Sequence, residues 1–121
     1  MTDTGEFTER YVAVWNEPDA NARRMAISRI WSEDARVCTA GAGYAGLTAI
    51  EARVTKAHEE FVAQQGFLFR AIGTADAHHD GVRLRWEMVP GNGGGAVSAG
   101  VQFLLLDAGG RVRYDYQFID F

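Results

Sequence analysis

Residues 80–120 read DGVRLRWEMVPGNGGGAVSAGVQFLLLDAGGRVRYDYQFID, and this stretch decides the fold class. Apolar residues alternate along it with polar or small ones, which is the period of strands that bury one face. Asp80-Gly81 and the segment 107–110 are typical of tight hairpins, and 90–95 is a longer, glycine-rich connection. The pattern therefore predicts three consecutive antiparallel strands, at 82–89, 96–106 and 111–120.

The chain before residue 80 adds one more long strand, at 67–77, and a helical half that precedes it. Apolar residues in that half recur three and four positions apart, which is the spacing of a buried helix face. Three helices are predicted. Their core-facing residues are Phe7, Tyr11, Val14 and Trp15 in the first, Met25, Ile27, Ile30 and Trp31 in the second (over 19–32), and Ile50, Val54, His58 and Phe61 in the third.

The ends of these helices carry signals of their own. Asp3 or Thr4 is predicted to cap the start of the first helix, because both side chains accept hydrogen bonds from free amides. Thr48 and Glu51 have the spacing of a capping box at the start of the third helix. The third helix is expected to end near Gly66.

A short strand at 34–39 and a glycine-rich loop at 40–46 link the second helix to the third. Helices followed by hairpin-connected strands form an α+β domain, in which the sheet curls over the helical layer and buries one face against it. The sequence shows no internal repeat, linker or second domain. We therefore expect residues 1–121 to form a single domain.

Composition and charge exclude several classes of protein. The 121 residues are 47% hydrophobic and 23% charged, as in an ordinary globular domain. Lys+Arg 12 against Asp+Glu 16 leaves a net charge of −4, without the clustered cations that bind nucleic acids. The single cysteine, Cys38, excludes an internal disulfide, and no apolar run approaches the ~20 residues of a membrane span. The acidic N-terminus is not a signal peptide, so a cytoplasmic location is expected.

Each long strand has one apolar face and one mixed face. The mixed faces hold Arg85, Glu87, Asp115 and Gln117, which are either solvated or line a polar-rimmed cavity. The apolar face of the last strand is predicted to carry Val112, Tyr114, Tyr116 and Phe118. So short a chain offers these aromatic side chains no partner, and a second subunit is expected to cover them.

Four segments carry a resemblance to a known family. They are Glu9-Arg10-Tyr11-Val12-Ala13-Val14-Trp15-Asn16, Trp31-Ser32-Glu33-Asp34-Ala35, Gly46-Leu47-Thr48-Ala49-Ile50 and Gly110-Arg111-Val112. Their order and spacing resemble the nuclear transport factor 2-like superfamily in its SnoaL-like branch, over nearly the whole chain. The resemblance implies a cone-shaped, cystatin-like α+β roll with a pocket opening into the cone, and a homodimer paired through the outer sheet face. The branch includes polyketide cyclases, ketosteroid isomerases and epoxide hydrolases, so the fold alone does not fix the reaction.

The resemblance implies a role for Tyr11. Ketosteroid isomerases use a first-helix tyrosine as a hydrogen-bond donor to the developing oxyanion, and Tyr11 stands in the matching context. The position of their carboxylate base corresponds to Thr39, and the position of their second acid falls near Val101. Neither Thr39 nor Val101 has a carboxyl group. Double-bond isomerisation of steroids by that mechanism is therefore not expected.

Limonene epoxide hydrolases use an Arg-x-Asp pair and a second Asp on the last strand, and Arg85-Trp86-Glu87 resembles the pair. The last-strand partner aligns with Gln117, while Asp115 lies two residues away. Epoxide opening needs an acid for the ring oxygen and a base for water, which Glu87 with Asp115 could supply. Epoxide hydrolysis is therefore one alternative function.

We expect the cone to bind a small, mostly apolar metabolite. As an enzyme, the protein would be a cofactor-free isomerase, cyclase or hydratase acting on a polyketide- or terpenoid-like compound. The predicted catalytic residues are Tyr11, Glu87 and Arg85, and the predicted substrate-binding residues are Trp15, Trp31, Tyr44, His58, Phe61, Phe69, Asp115 and Gln117. No metal or cofactor is expected, because His78-His79-Asp80 lies on a hairpin turn without further ligands. A non-catalytic ligand-binding or dimeric interaction module is the other alternative.

Overall fold

The computed structural model describes residues 4–121, and Asp3, one of the two predicted helix caps, lies outside them. The helices are α1 Thr4–Asn16, α2 Ala20–Ile30 and α3 Leu47–Ala57, and α3 leads directly into a π-helical segment, His58–Ala63. The strands are β1 Trp31–Cys38, β2 Gly43–Ala45, β3 Phe67–His78, β4 Gly81–Pro90, β5 Ser98–Leu106 and β6 Val112–Ile119. The predicted order of helices and long strands is confirmed.

All six strands form one curved, unclosed sheet in the order β2-β1-β6-β5-β4-β3. The long strands β3 to β6 make the predicted antiparallel meander, and the α+β class is confirmed. The sheet is mixed rather than wholly antiparallel, because β1 runs parallel to β6. This pairing follows from the path of the chain: α3 carries it across to the far edge of the sheet, and the meander returns until its last strand lies beside β1.

The second helix ends earlier than predicted. It stops at Ile30, and Trp31 begins β1 instead of closing the helix. The buried stripe of α2 runs through Arg23, Ile27 and Ile30. Met25 lies off this stripe and is 55% exposed, so its predicted inward position is wrong.

The predicted capping box at the start of α3 is not formed. Gly46 precedes the helix with φ +86°, and no side chain caps it. The Glu51 carboxylate forms an ion pair with Arg24 of α2 at 2.7 Å instead of turning back to Thr48. Glycine adopts a positive φ without steric cost, so the backbone at Gly46 makes the turn that the side chains were expected to fix.

The helices pack against one face of the sheet, which we call the inner face. The core joins helical residues to the inner face: Phe7, Tyr11, Val14, Ile27, Ile30, Ile50 and Val54 with Trp31, Ala35, Val37, Val82, Leu84, Trp86, Met88, Leu104 and Val112. A register shift in the β5–β6 ladder places Val112 in this core, so its predicted position on the apolar outer face of the last strand is wrong. In residues 4–121 no helix is long and apolar enough to cross a membrane.

Candidate functional site

A cavity of about 110 Å³ opens between the inner face of the sheet and the helical layer. A cavity of about 150 Å³ engineered into another protein admits benzene, so this one has the scale of a single small ring. The residues that line it are Tyr11, Val12, Trp15, Arg53, Ala57, Phe61, Phe69, Leu84, Trp86, Met88, Ser98, Gln102, Gln117 and Ile119. Most of them are apolar or aromatic, so the cavity favours a molecule with an apolar body.

Aromatic rings from helix and sheet form one wall of the cavity. Tyr11 and Trp15 lie one turn apart on α1, and their rings stack with centroids 6.3 Å apart. Trp15 meets Phe69 of β3 at 6.3 Å, and Phe69 meets Trp86 of β4 at 5.8 Å, both edge to face. Because such ring pairs stabilise one another, the wall is formed before any ligand arrives.

A buried hydrogen-bond cluster lies behind this wall and centres on Asp115, which is completely buried. The Asp115 Oδ2 atom accepts hydrogen bonds from the Tyr11 hydroxyl at 2.6 Å and from the Trp31 indole at 3.2 Å. The Oδ1 atom accepts one from Gln102 Nε2 at 2.6 Å. Tyr11 and Gln102 also line the cavity, so these two side chains connect the carboxylate to it.

Gln102 joins this cluster to the aromatic wall. Its Nε2 group also donates to the Tyr11 hydroxyl oxygen at 3.1 Å, and its Oε1 atom accepts from the Trp86 indole at 3.0 Å. Reversing the amide would set its NH₂ group against the Trp86 N–H, so the bonds fix its orientation. The floor of the cavity therefore has a defined pattern of donors and acceptors.

Burial changes the acidity of two groups in the cluster. Desolvation raises the pKa of Asp115 from 3.8 to about 6, although the hydrogen bonds that it accepts and the positive charge of Arg53 oppose the rise. Desolvation and the adjacent carboxylate raise the pKa of Tyr11 well above its usual value of 10.0. Near neutral pH the Asp115 carboxylate can therefore accept a proton, while the Tyr11 phenol stays protonated.

Five of the predicted site residues line the cavity: Tyr11, Trp15, Phe61, Phe69 and Gln117. Asp115 and Trp31 lie directly behind Tyr11. Asp115 accepts a hydrogen bond from the Tyr11 hydroxyl, and the Trp31 ring packs against the Tyr11 ring. Trp31 is fully buried, which follows from its position at the start of β1 beneath α1. The structure therefore brings these seven residues together, and their role in binding a substrate stays a prediction.

His58 and Tyr44, two further predicted binding residues, lie outside the lining. His58 is buried at the start of the π-helix, with Nδ1 3.1 Å from the carbonyl oxygen of Trp15. Tyr44 of β2 is half-buried, and the Arg53 guanidinium lies over its ring at 5.7 Å. Their contacts position neighbouring elements of the cavity.

Arg85 and Glu87 lie on the outer face of the sheet, away from Tyr11. Glu87 forms an ion pair with Arg70 of β3, and the Arg85 side chain is 58% exposed. The structure therefore does not bring these two predicted catalytic residues to the cavity. Glu87 and Asp115 occupy opposite faces, so the pair that epoxide opening would use is not formed.

Arg53 and Gln102 line the cavity although the sequence pattern alone does not indicate them as site residues. Alternation along a strand sorts its residues into two faces, but register decides which face meets which in the neighbouring strand. That register aligns Gln102 with Leu84 and Gln117 on the inner face. Arg53 stands between Ile50 and Ala57 on the buried stripe of α3, and this interruption of an apolar stripe by a cation was the available signal.

Comparison with solved structures shows the same fold in other bacterial proteins. A proposed isomerase of the SnoaL-like family from Agrobacterium tumefaciens matches with a TM-score of 0.88 and 28% identity, over 100% of both chains. A nuclear transport factor 2-like protein of unknown function from Exiguobacterium matches with a TM-score of 0.72 and 20% identity, over 94% of this chain and 98% of the other. A proposed polyketide cyclase from Sinorhizobium meliloti matches with a TM-score of 0.68 and 16% identity, over 93% of this chain and 94% of the other. No family model and no curated protein matches the sequence.

Proposed function

We propose that this chain, which has the nuclear transport factor 2-like fold and is similar to the SnoaL-like branch of that superfamily, binds a small, mostly apolar carbonyl compound and isomerises or cyclises it without a cofactor. The observation that carries the proposal is the placement of the Tyr11 hydroxyl. It lies at the floor of an apolar cavity and donates its proton to the buried Asp115 carboxylate. The similarity to a proposed isomerase and a proposed cyclase supports the same reaction class.

The chemistry is a proton relay from substrate carbon to Asp115 through Tyr11. The Tyr11 oxygen accepts a proton from a carbon next to the carbonyl group while the hydroxyl proton passes to Asp115, so no free phenolate forms. The C–H electron pair becomes the carbon–carbon double bond of an enolate. Return of the proton by the reverse path to a different carbon gives the isomer. In cyclisation the enolate carbon attacks a second carbonyl group, and the alkoxide that forms takes the proton back from Asp115 through Tyr11.

The relay gives Tyr11→Phe a clear expected result. The substitution keeps the ring that packs against Trp15 and Trp31 and removes only the hydroxyl. We expect the rate of conversion of an unconjugated cyclohexenone to its conjugated isomer, followed by absorbance, to fall about 10²–10⁴-fold, which is the usual contribution of general acid–base catalysis.

Binding measured by tryptophan fluorescence is the control for that experiment. We expect the affinity for the same ketone to change by less than about threefold, since the apolar walls supply most of the binding. Equal rates of turnover by the variant and the native protein would contradict the relay. If neither protein binds the ketone, the cavity is not its binding site.

Binding without chemistry is the second candidate function, and one observation favours it. The donors of the cluster already have acceptors inside the protein, since Trp86 donates to Gln102 and Gln102 donates to Asp115 and Tyr11. A saturated cluster of this kind also stabilises a fold. Ligand binding with no turnover on any ketone or diketone of matching size would favour this candidate.

We also propose that a second copy of the chain covers the outer face of the sheet. Register places Val101 beside Phe118 and Phe103 beside Tyr116, which makes one apolar strip across β5 and β6. Phe118 is 59% exposed and Phe103 41%. Exposed apolar patches of this kind are typical of subunit interfaces. The cytoplasmic location stays a prediction.

The dimer is tested by Phe118→Glu. We expect the native protein to sediment at twice the chain mass of 13.3 kDa and the variant at the mass of one chain, because a buried unpaired carboxylate opposes association. Met25→Glu is the matched control, since Met25 is an apolar residue of similar exposure, 55%, on α2. A monomeric native protein at micromolar concentration would contradict the proposal.

A further inference from the structure

We infer that the molecule bound in the cavity carries a carboxylate or another anionic oxygen group, and that Arg53 binds this group. The inference rests on the proposed function, because it names the class of molecule that the same cavity takes. It starts from a single fact of composition: among the described residues that line the cavity, Arg53 is the one charged side chain.

The Arg53 guanidinium is poorly satisfied within the chain. In residues 4–121 its only hydrogen bond joins Nη2 to Gln117 Oε1 at 3.5 Å, which is at the limit of hydrogen-bond distance. The Nε atom is buried and has no partner among the described residues. No carboxylate of residues 4–121 forms an ion pair with this arginine, and the Asp115 carboxylate acts on it only through its charge at longer range. A guanidinium has five N–H donors, so most of those of Arg53 have no acceptor within residues 4–121.

An arginine in this state is unusual for a purely structural residue. Arg53 is half-buried with its Nε atom enclosed, and a cation partly removed from water is normally paired, since the loss of solvent is unfavourable unless an anion and further hydrogen bonds replace it. The ring of Tyr44 lies beneath the guanidinium at 5.7 Å and supports one of its faces. The planar edge of the guanidinium stays available, and that edge matches a carboxylate through two parallel hydrogen bonds.

The neighbouring residues suit such a group. Gln117 lies beside Arg53 and also lines the cavity. The aromatic wall, with Trp15, Phe69 and Trp86, would take the apolar body of the molecule. The ligand would therefore have two ends: an anionic oxygen group at α3 and an apolar part against the sheet.

Matched pairs of probes test this inference. Phenylpropanoate and phenylpropanamide have nearly the same shape, as do benzoate and benzamide, and within each pair only the acid is charged. Binding is followed by intrinsic fluorescence, because Trp15, Trp31 and Trp86 all lie in or behind the cavity wall. We expect each acid to bind the native protein about tenfold more tightly than its amide, as a charge-assisted hydrogen bond allows.

The variants assign that preference to one residue. We expect Arg53→Gln to abolish the preference for the acid and to leave the affinity for the amide within about twofold. Arg83→Gln is the matched control, because Arg83 is an exposed arginine of the outer face paired with Asp76. It should keep the full preference. Arg53→Lys keeps the charge without the planar edge and should retain only part of it.

The outcomes separate this inference from the proposed function. Equal affinity of acid and amide in the native protein, or a preference that survives Arg53→Gln, would overturn the role of Arg53 and leave the apolar cavity as a binding site. Failure of all four probes to bind, while the cyclohexenone still binds, would overturn this inference alone, and failure of the ketone as well would overturn both proposals. The comparison of acid with amide in the native protein needs no variant, so it holds even if Arg53→Gln does not fold.

Discussion

Gly100→Ala is expected to lower the free energy of unfolding by about 3 kcal/mol, at the upper end of the usual cost of overpacking. A Cβ atom at this position of β5 would lie 2.6 Å from the backbone carbonyl oxygen of Phe118 and 2.6 Å from Trp86 Cζ2. The carbonyl belongs to the β5–β6 ladder, so relief of the first clash weakens strand pairing, and relief of the second displaces the Trp86 ring. Since Trp86 lines the cavity and bonds Gln102, ligand affinity should fall as well.

The control for this experiment is Gly43→Ala in β2, where a Cβ atom would meet nothing within 4 Å. We expect that change to stay within about 0.5 kcal/mol of the native protein. Both values come from urea denaturation of the native protein and the two variants. A Gly100→Ala protein as stable as the Gly43→Ala control would show that Trp86 and the ladder relax freely, contrary to the close packing described for this part of the sheet.

Asp115→Ala is the second substitution with a large expected effect. It removes the acceptor of the Tyr11 hydroxyl, the Trp31 indole and the Gln102 amide. Trp31 is fully buried, so its N–H finds no water in compensation. With two or more donors left unpaired at about 1–3 kcal/mol each, we expect a loss of about 2–6 kcal/mol at pH 5.

The same carboxyl group makes stability depend on pH. The pKa of Asp115 rises from 3.8 to about 6 on folding, which corresponds to about 3 kcal/mol. The folded chain therefore holds a proton that the unfolded chain has released, so the contribution is complete below pH 3.8 and is lost as the pH rises through 6. Between pH 5 and pH 8 we expect this group to lower the free energy of unfolding by about 1 kcal/mol.

Asp115→Asn separates the charge from the shape. It keeps the size of the side chain but cannot ionise, so its unfolding free energy should lack the decline between pH 5 and pH 8. Urea denaturation at both values measures the slope, and the difference between native protein and variant cancels other titrating groups. Identical slopes would show that Asp115 does not hold a proton in this range.

Much of the fold could be predicted from local pattern, because alternation and helical spacing are properties of neighbouring residues. The four long strands, the three helices and the burial of Tyr11 follow from that. The parallel pairing of β1 with β6 does not follow from local pattern, since it depends on where the meander ends. The spacing of Trp31 from Ile27 suits a helix, but the tertiary fold makes Trp31 the first residue of a strand.

The candidate site was harder to predict, because it depends on register between strands. Chemistry groups Arg85 and Glu87 with Asp115, and alternation within each strand is compatible with that grouping. The ladder places the first two outside and the third inside. Arg53 is hard to predict for a different reason: a lone arginine on a helix is most often solvated, and only the packing of α3 against the sheet places this one at a cavity.

The π-helix His58–Ala63 has a consequence for how the cavity could change over time. In this segment Gln64 N–H bonds the carbonyl of Glu59, five residues back, so the turn holds one residue more than an α-helix would. Deleting one residue from a regular α-helix rotates everything after it by about 100°. Here the wide turn already accommodates one extra residue, so a deletion within it would restore α-helical hydrogen bonding and leave the residues that follow, with β3, close to their present orientation. Phe61 lies inside this segment and lines the cavity, so the deletion would change one wall of the cavity and leave the sheet in place.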